Sequence, residues 1–197
     1  MIVVGLAGPA GSGKSAVARQ VARRAGVEWI DLDRLAWSTY EPGTSVFSDL
    51  VARFGAEIVD ANGRIDRAAL AERSFADPAG RRDLERLVHP ALNDALRRRI
   101  EEERCAGCRI LLVEGALLGS SPEVDGSLFD AILWFDVPPA VREERLRAEG
   151  RGHHAVRTDA LAMPEGAERI AADAPLADVV KRVRRALAAF ARTRPRP

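Results

Sequence analysis

Short apolar runs alternate along this chain with longer stretches in which charged and apolar residues mix. The apolar runs are rich in valine, isoleucine and leucine, and several of them end at an acidic residue. Runs of this length are typical of strands buried on both faces of a parallel sheet. The pattern therefore predicts an α/β fold, a doubly wound parallel sheet with helices on both faces. The predicted strands are residues 2–6, 28–30, 110–113, 131–135 and 170–172.

The stretches between the strands have helical periodicity, at residues 14–25, at residues 34–40 and near the C-terminus. A longer mixed segment, residues 60–104, separates the second strand from the third. It predicts helices with breaks at Asp77-Pro78 and at His89-Pro90. This segment is therefore interpreted as a helical insertion.

The chain has 197 residues, a length that suits a single domain. The remainder of the chain, residues 1–59 and 105–192, is predicted to form the core. The basic, proline-rich residues 193–197 are predicted to be a frayed tail.

A glycine-rich segment follows the first predicted strand directly. Residues 8–15 fit the phosphate-binding pattern G-x-x-x-x-G-K-[ST]. The glycines let backbone N–H groups surround phosphate oxygens, and the following helix directs its positive end to the same point. The pattern predicts that Lys14 reaches the β- and γ-phosphates of ATP and that Ser15 holds Mg²⁺. The predicted nucleotide-binding residues are Gly8, Ala10, Gly11, Ser12, Gly13, Lys14, Ser15 and Ala16.

Lys14 is also unusual because the chain uses arginine for almost all of its basic residues. Of 30 basic residues only two are lysine, Lys14 and Lys181, and the rest are arginine. A compact ammonium group fits between phosphate oxygens and a closely wrapped backbone, whereas a planar guanidinium group does not. We therefore predict a catalytic role for Lys14.

Composition and charge exclude several classes of protein. A hydrophobic content of 47% with 30% charged residues is typical of a globular chain. The net charge of +1 provides no overall field to attract nucleic acid or a membrane surface. No apolar stretch is long enough to span a bilayer, and the N-terminus has no secretory signal pattern. We expect a cytoplasmic protein with small-molecule partners, as a monomer or a weak homo-oligomer.

Cys105 and Cys108 form a Cys-Ala-Gly-Cys segment. This spacing suits a redox pair, half of a zinc site, or a turn. A zinc site needs further ligands at partner spacing, and there is no second cysteine pair. The favoured interpretation is a turn between a helix and the third strand.

Acidic residues at strand ends supply the candidate chemistry. The carboxyl ends of parallel strands meet at one edge of a sheet, where ligands bind. Oxygen atoms are the ligands that Mg²⁺ prefers, so Ser15, Asp31 and Glu114 are candidate metal ligands. Asp33 opens a predicted helix and is the candidate base for a hydroxyl acceptor, with helix capping as the alternative. For Glu114 the alternative is a strand-end residue paired with an arginine.

The phosphate loop alone does not distinguish a kinase from a molecular switch. The guanine-reading motif N-K-x-D is absent, and the D-x-x-G match at residues 60–63 follows no suitable strand. The size and the predicted fold favour a small-molecule kinase. Two alternatives stay open: a kinase for another nucleoside or nucleotide, and a non-catalytic ATP-binding regulatory module.

The first half of the chain resembles the dephospho-coenzyme A kinases. The resemblance rests on ordered motifs: the phosphate loop, Asp31-Leu32-Asp33, Glu41-Pro42-Gly43, Phe54-Gly55, the run from Asn62 to Arg67 with Leu70, Phe75-Ala76-Asp77-Pro78, and Leu84-Glu85 with His89-Pro90. It implies an adenylate-kinase-like core, a helical insertion that binds coenzyme A, and a lid, placed at residues 145–165. It also implies transfer of the ATP γ-phosphate to the ribose 3′-hydroxyl of dephospho-coenzyme A.

The resemblance also implies roles for individual residues. Asp33 is then the base, and Arg67, His89 and Pro90 belong to the acceptor side, together with Glu114 at the end of the third strand. The alternatives are a salt bridge at a helix start for Arg67 and a capped turn for His89. Trp37 follows Asp33 on a predicted helix and is a candidate for acceptor binding, with a core position as its alternative.

The second half departs from the family pattern. After the third strand, Ala116 replaces the proline and Ser120 the glutamate of the usual motif, and the R-I-x-x-Q element is missing. Asp173 stands where the resemblance leads us to expect an adenine-side asparagine, and we predict that it contacts the nucleotide. The negative charge that spreads over a transferred phosphoryl group is stabilised by cations. The candidate cations are Arg142, Arg145, Arg147 and Arg151. Among them we predict Arg145 as catalytic, with a charged surface helix as the alternative.

Overall fold

The structure is a computed structural model, and it describes residues 1–116, 118, 124–150 and 161–193. The predicted roles of Ser120 and Arg151, most of the predicted lid and the tail beyond residue 193 lie outside these residues. Two compact units make up the chain: Met1–Asp31 with Ile100–Pro197, and Leu32–Arg99. The second unit begins well before the predicted insertion at residues 60–104.

The first unit is built on a parallel sheet, and the predicted fold class is confirmed. The strands β1 to β5 span, in chain order, Ile2–Ala7, Val27–Asp31, Ile110–Glu114, Ala131–Asp136 and Glu168–Ala171. They lie in the order β2-β3-β1-β4-β5, and each neighbouring pair is parallel. This order puts β1, which leads into the phosphate loop, at the centre of the sheet. β5 begins two residues earlier than predicted.

Helices cover the sheet of the first unit. They are α1 (Lys14–Val21), α6 (Pro139–Ala148) and α7 (Leu176–Thr193), and a short 3₁₀ turn at Gly126–Leu128 precedes β4. The first core cluster combines Val4, Leu6, Val17 and Val183 with other apolar side chains of the sheet strands and of α1 and α7. Burial of these strand residues between helices explains why the strands were recognisable as apolar runs.

The second unit is helical and has its own apolar core. Its helices are α2 (Leu32–Thr39), α3 (Ser45–Phe54) and α4 (Arg67–Ser74), with a 3₁₀ turn at Ala56–Ile58. Leu50 and Ile58 are fully buried there, packed with residues such as Phe54 and Leu70. The N-terminus of α4 is capped by the Asp66 carboxylate, which accepts from the N–H groups of Ala68 and Ala69.

Helix α5 (Pro78–Cys105) spans the boundary between the units and overturns one prediction. The break at Asp77-Pro78 is present, but the helix runs through Pro90 without ending. A proline inside a helix removes one backbone hydrogen bond and costs about 3 kcal/mol. Burial of Val88, Leu92 and Leu96 along one face of α5 offsets this cost.

Two further helix limits differ from prediction. α1 ends at Val21 instead of residue 25, because the chain turns toward Gly26, whose φ of +76° is left-handed. α2 begins at Leu32, so Asp33 lies inside its first turn and does not precede the helix as its cap. The predicted turn at the cysteines is present: α5 ends at exposed Cys105, and Cys108 is buried just before β3.

Candidate active site

The loop between β1 and α1 is held in a conformation that only glycine adopts easily. Gly8, Gly11 and Gly13 have φ angles of +132°, +76° and +86°. A Cβ atom on Gly8 would lie 2.8 Å from the carbonyl oxygen of Phe135, and one on Gly11 would lie 2.8 Å from that of Arg142. The backbones of β4 and α6 therefore approach the loop so closely that no side chain fits at either glycine.

Lys14 is nearly buried at the start of α1, with 9% of its surface exposed. Its Nζ donates to the carbonyl oxygens of Gly8 and Pro9, at 2.7 and 3.0 Å, and to Ser12 Oγ at 3.2 Å. These oxygens fix the ammonium group inside the curve of the loop. The predicted phosphate cradle is thus assembled around a positive charge, with the N-terminus of α1 beside it.

Ser15 and Glu114 meet at the carboxyl edge of the sheet. Ser15 Oγ donates to Glu114 Oε1 at 2.6 Å, and Glu114 is 7% exposed. The β2–β3 ladder pairs Asp31 with Glu114, so both acids end neighbouring strands at the same level. A hydroxyl oxygen and two carboxylates in this arrangement suit Mg²⁺, which binds few protein oxygens and keeps several waters. The described residues contain no group of three or more His, Cys, Asp or Glu that could hold a metal ion.

Two arginines of α6 reach the loop. Arg145 donates from Nη1 to the carbonyl oxygen of Gly11 at 3.4 Å and from Nη2 to that of Ala172 at 3.1 Å. It thereby connects the loop with the segment that contains Asp173, which is itself exposed. Arg142 is 3% exposed and donates from Nη1 to the carbonyl oxygen of Ala10 at 3.4 Å. By contrast, Arg147 is exposed.

Arg142 contacts the phosphate loop, although the sequence indicated it only as one of four available arginines and predicted Arg145 as the catalytic one. Its spacing of three residues from Arg145 puts both side chains on one side of α6, and this spacing was the available signal. The sequence could not show that this side faces the phosphate loop, because the contact depends on how α6 packs against Gly11.

In the second unit, Trp37 and Arg67 are brought together. The guanidinium carbon of Arg67 lies 3.8 Å from the centroid of the Trp37 ring, and Trp37 is 38% exposed. Asp33 is exposed one helical turn before Trp37 on α2. Trp37 is therefore not a core residue. For Arg67, the described residues show a contact with this ring and no salt bridge at the helix start.

The same unit contains a buried tyrosine. Burial raises the pKa of Tyr40 to about 12; the positive charge of Arg67 opposes this shift, and the carboxylates of Asp33 and Glu41 add to it. Tyr40, Trp37 and Arg67 line one pocket. His89 and Pro90 lie in the middle of α5. The structure describes every residue of the second unit, and neither of these two lines the pocket.

Each unit thus contains its own part of the predicted site. A central parallel strand, a glycine loop, a buried lysine at a helix start and a serine bonded to a strand-end acid define a P-loop nucleotide-binding protein. The family model CoaE, dephospho-CoA kinase, matches residues 2–160. The chain therefore belongs to the dephospho-CoA kinase family and is a kinase of coenzyme A biosynthesis.

Individual relatives agree with this membership. The chain is 40% identical to a dephospho-CoA kinase of Frankia casuarinae over 156 residues, which cover 77% of this chain and 63% of the relative. It is 38% identical to a dephospho-CoA kinase of Corynebacterium diphtheriae, with coverage of 74% and 72%. The crystal structure of TT1252 from Thermus thermophilus superimposes with a TM-score of 0.73 at 26% identity, covering 95% of this chain and 96% of that one.

Proposed function

We propose that the chain transfers the γ-phosphate of ATP to the ribose 3′-hydroxyl of dephospho-CoA, giving coenzyme A and ADP, with Mg²⁺. Support comes from the family to which the chain belongs and from one observation, the contact of Ser15 with Glu114 beside buried Lys14. A triphosphate with its metal needs this combination of hydroxyl, carboxylate and ammonium groups.

The reaction forms a bond from the 3′-oxygen to the γ-phosphorus and breaks the bond to the β–γ bridging oxygen. Lys14 exchanges its bonds with loop carbonyls for bonds to phosphate oxygens, and Arg142 and Arg145 add positive charge where the transition state spreads its negative charge. Ser15, Asp31 and Glu114 would hold Mg²⁺, which would supply positive charge to neutralise the phosphate oxygens. Asp33 accepts the proton of the 3′-hydroxyl.

The remaining residue assignments stay predictions. They are Asp173 at the adenine and, on the acceptor side, His89, Pro90 and Glu114. A cytoplasmic location and a monomeric or weakly oligomeric state also stay predictions. No helix in the described ranges has both the length and the apolar character to cross a membrane.

The proposed function is tested by ADP release from purified protein with Mg-ATP. We expect release that depends on dephospho-CoA and exceeds the release with a panel of nucleosides and nucleotides. Preference for another acceptor would favour a different P-loop kinase, and tight ATP binding without turnover on any acceptor would favour a regulatory module.

Asp33→Asn tests the assignment of the base. We expect turnover to fall about a hundredfold with ATP binding retained, because the amide cannot accept the proton. Asp49→Asn is the matched control, since Asp49 is an exposed acid on α3 of the same unit. Unchanged turnover in Asp33→Asn would exclude Asp33 as the base while leaving the proposed reaction in place.

A further inference from the structure

A second cavity lies within the first unit, where the edge strand β5 meets the helix α7. Its volume is about 420 Å³, inside the range for small-molecule sites, about 300–1,000 Å³. The charged residues that line this β5–α7 cavity are Arg169, Arg182, Arg185 and Glu168. With three arginines against one acid, the cavity has an excess of positive charge and is suited to an anion.

The β5–α7 cavity is separate from the phosphate loop. Residues 172–175 connect β5 to α7, so α7 starts beside the carboxyl end of the sheet, the edge at which the loop lies. α7 passes the end of β5 at Arg182, whose Nη1 donates to the carbonyl oxygen of Ala171. Ala189, which also lines the cavity, lies about two helical turns further along. The cavity therefore extends along β5 away from the loop.

The backbone of β5 adds donors to the cavity. β5 is the last strand of the sheet, and its other side has no strand among the described residues. The N–H of Ala172 donates to the carbonyl oxygen of Asp136 on β4, at 2.9 Å. Backbone groups of successive residues in a strand point to opposite sides, so the N–H groups of Arg169 and Ala171 point to the open side. The bond from Arg182 to the Ala171 carbonyl agrees with this direction.

The three guanidinium groups of the cavity keep donors for a ligand. Arg169 Nη1 donates to Asp136 Oδ2 at 2.6 Å, and Arg182 uses one donor for the Ala171 carbonyl. Arg185 is exposed, and no hydrogen bond or ion pair joins it to another described residue. A guanidinium has five N–H donors, so each of the three has several left.

The shape of the cavity favours adjacent phosphoryl groups. Arg182 and Arg185 are three residues apart on α7, about 4.5 Å along the helix axis, and both line the same cavity. Planar forks of N–H donors side by side match the oxygens of two linked phosphoryl groups. Buried Ile170 and Ala186 form an apolar wall, beside which the attraction between a guanidinium and an anion is stronger than in bulk water.

We propose that the β5–α7 cavity binds the diphosphate group of a phosphorylated small molecule. The ligand contacts are the guanidinium groups of Arg169, Arg182 and Arg185 and the backbone N–H groups of Arg169 and Ala171. The site is independent of the proposed reaction, because neither the phosphate loop nor the second unit contributes a residue to it.

Hydrogen–deuterium exchange with pyrophosphate as the probe tests this site locally. The N–H groups of Arg169 and Ala171 are on the open side of β5, so a bound anion protects them. At saturating pyrophosphate we expect exchange in the β5 segment to slow about tenfold. Pyrophosphate that binds the phosphate loop is measured separately, in the segment of residues 8–15.

Arg185→Gln is the main variant, since its side chain has no partner among the described residues and its loss leaves the fold intact. It should raise the pyrophosphate concentration for half-maximal protection of β5 about tenfold, because a charge-assisted contact is lost. Lys181→Gln is the matched control: it removes an exposed positive charge of α7 that pairs with Asp178 and does not line the cavity. Its value should stay within about twofold of wild type, and protection of residues 8–15 should be the same in both variants.

The inference is overturned if millimolar pyrophosphate leaves β5 exchange unchanged in wild type, or if Arg185→Gln is protected as well as wild type. Citrate at the same ionic strength tests the class of ligand. Weaker protection by citrate than by pyrophosphate supports a phosphate ligand, whereas equal protection overturns that assignment.

Discussion

The phosphate loop and the second unit are constructed in different ways. Around the loop, backbone atoms approach the glycines closely, and Lys14 donates to three protein oxygens. In the second unit, Asp33 and Arg67 are exposed and Gly63 has no neighbour within 4 Å of an added Cβ. The phosphate loop is thus organised by contacts within the protein, whereas the second unit presents charged groups to solvent.

This difference predicts how substitutions in the loop and on the exposed helices affect stability and activity. In a closely packed loop a substitution disturbs both the fold and the chemistry, because every group has a protein partner. On an exposed helix face a substitution changes binding or proton transfer and leaves the fold intact. The predictions below test this contrast, beginning with the largest effect.

Lys14→Ala should reduce turnover about a thousandfold, because a positive charge that stabilises the transition state is lost. Lys181→Ala is the matched control, since Lys181 is the other lysine and forms an exposed ion pair with Asp178. Steady-state ADP release with saturating substrates measures both variants. Comparable turnover in the two variants would show that the buried position of Lys14 has no catalytic consequence.

Gly11→Ala should lower the free energy of unfolding by about 3 kcal/mol, since a left-handed φ and a contact with the Arg142 carbonyl both oppose a Cβ atom. Gly63→Ala shares the left-handed φ but meets no neighbour, so we expect a loss of about 1 kcal/mol. Thermal unfolding compares the two. An equal shift in melting temperature would contradict the contrast between a packed and an open loop.

Tyr40 is the only tyrosine of the chain, so the absorbance of tyrosinate follows its ionisation alone. The midpoint should lie well above 10 in the folded protein, at about 12, and near 10 in urea. The folded state holds the proton more tightly, so the contribution to stability is complete below pH 10 and is lost as the pH rises from 10 toward 12. Tyr40→Phe should lack this loss, and a folded midpoint near 10 would show that Tyr40 is accessible to water.

Glu114→Gln should raise the Mg²⁺ concentration for half-maximal activity about tenfold, because one anionic oxygen is lost beside Ser15. The side chain keeps its shape, so the melting temperature should change little. Glu28→Gln is the control, an exposed acid on the neighbouring strand β2. An unchanged Mg²⁺ requirement in Glu114→Gln would remove Glu114 from the proposed metal site.

Much of the sheet and of the loop could be predicted because their signals are local. The strand β1 and the glycine loop are contiguous in sequence. An apolar run followed by this glycine pattern predicts both the strand-loop-helix conformation and a phosphate ligand. Helix limits were less predictable. Pro90 indicated a break, yet α5 continues, since the outcome depends on burial of Leu92 and Leu96 that a local pattern does not contain.

The sequence by itself determined that the chain has a phosphate loop with a lysine, a parallel sheet and the motifs of its family. These features follow from residue types at short spacing. Only the tertiary structure decided that Ser15 meets Glu114, that Arg142 is buried against the loop and that Arg67 stacks on Trp37. These contacts join segments far apart in the chain, and their formation depends on how strands align and helices pack. Packing therefore determines which side chains contact the residues of the phosphate-loop motif.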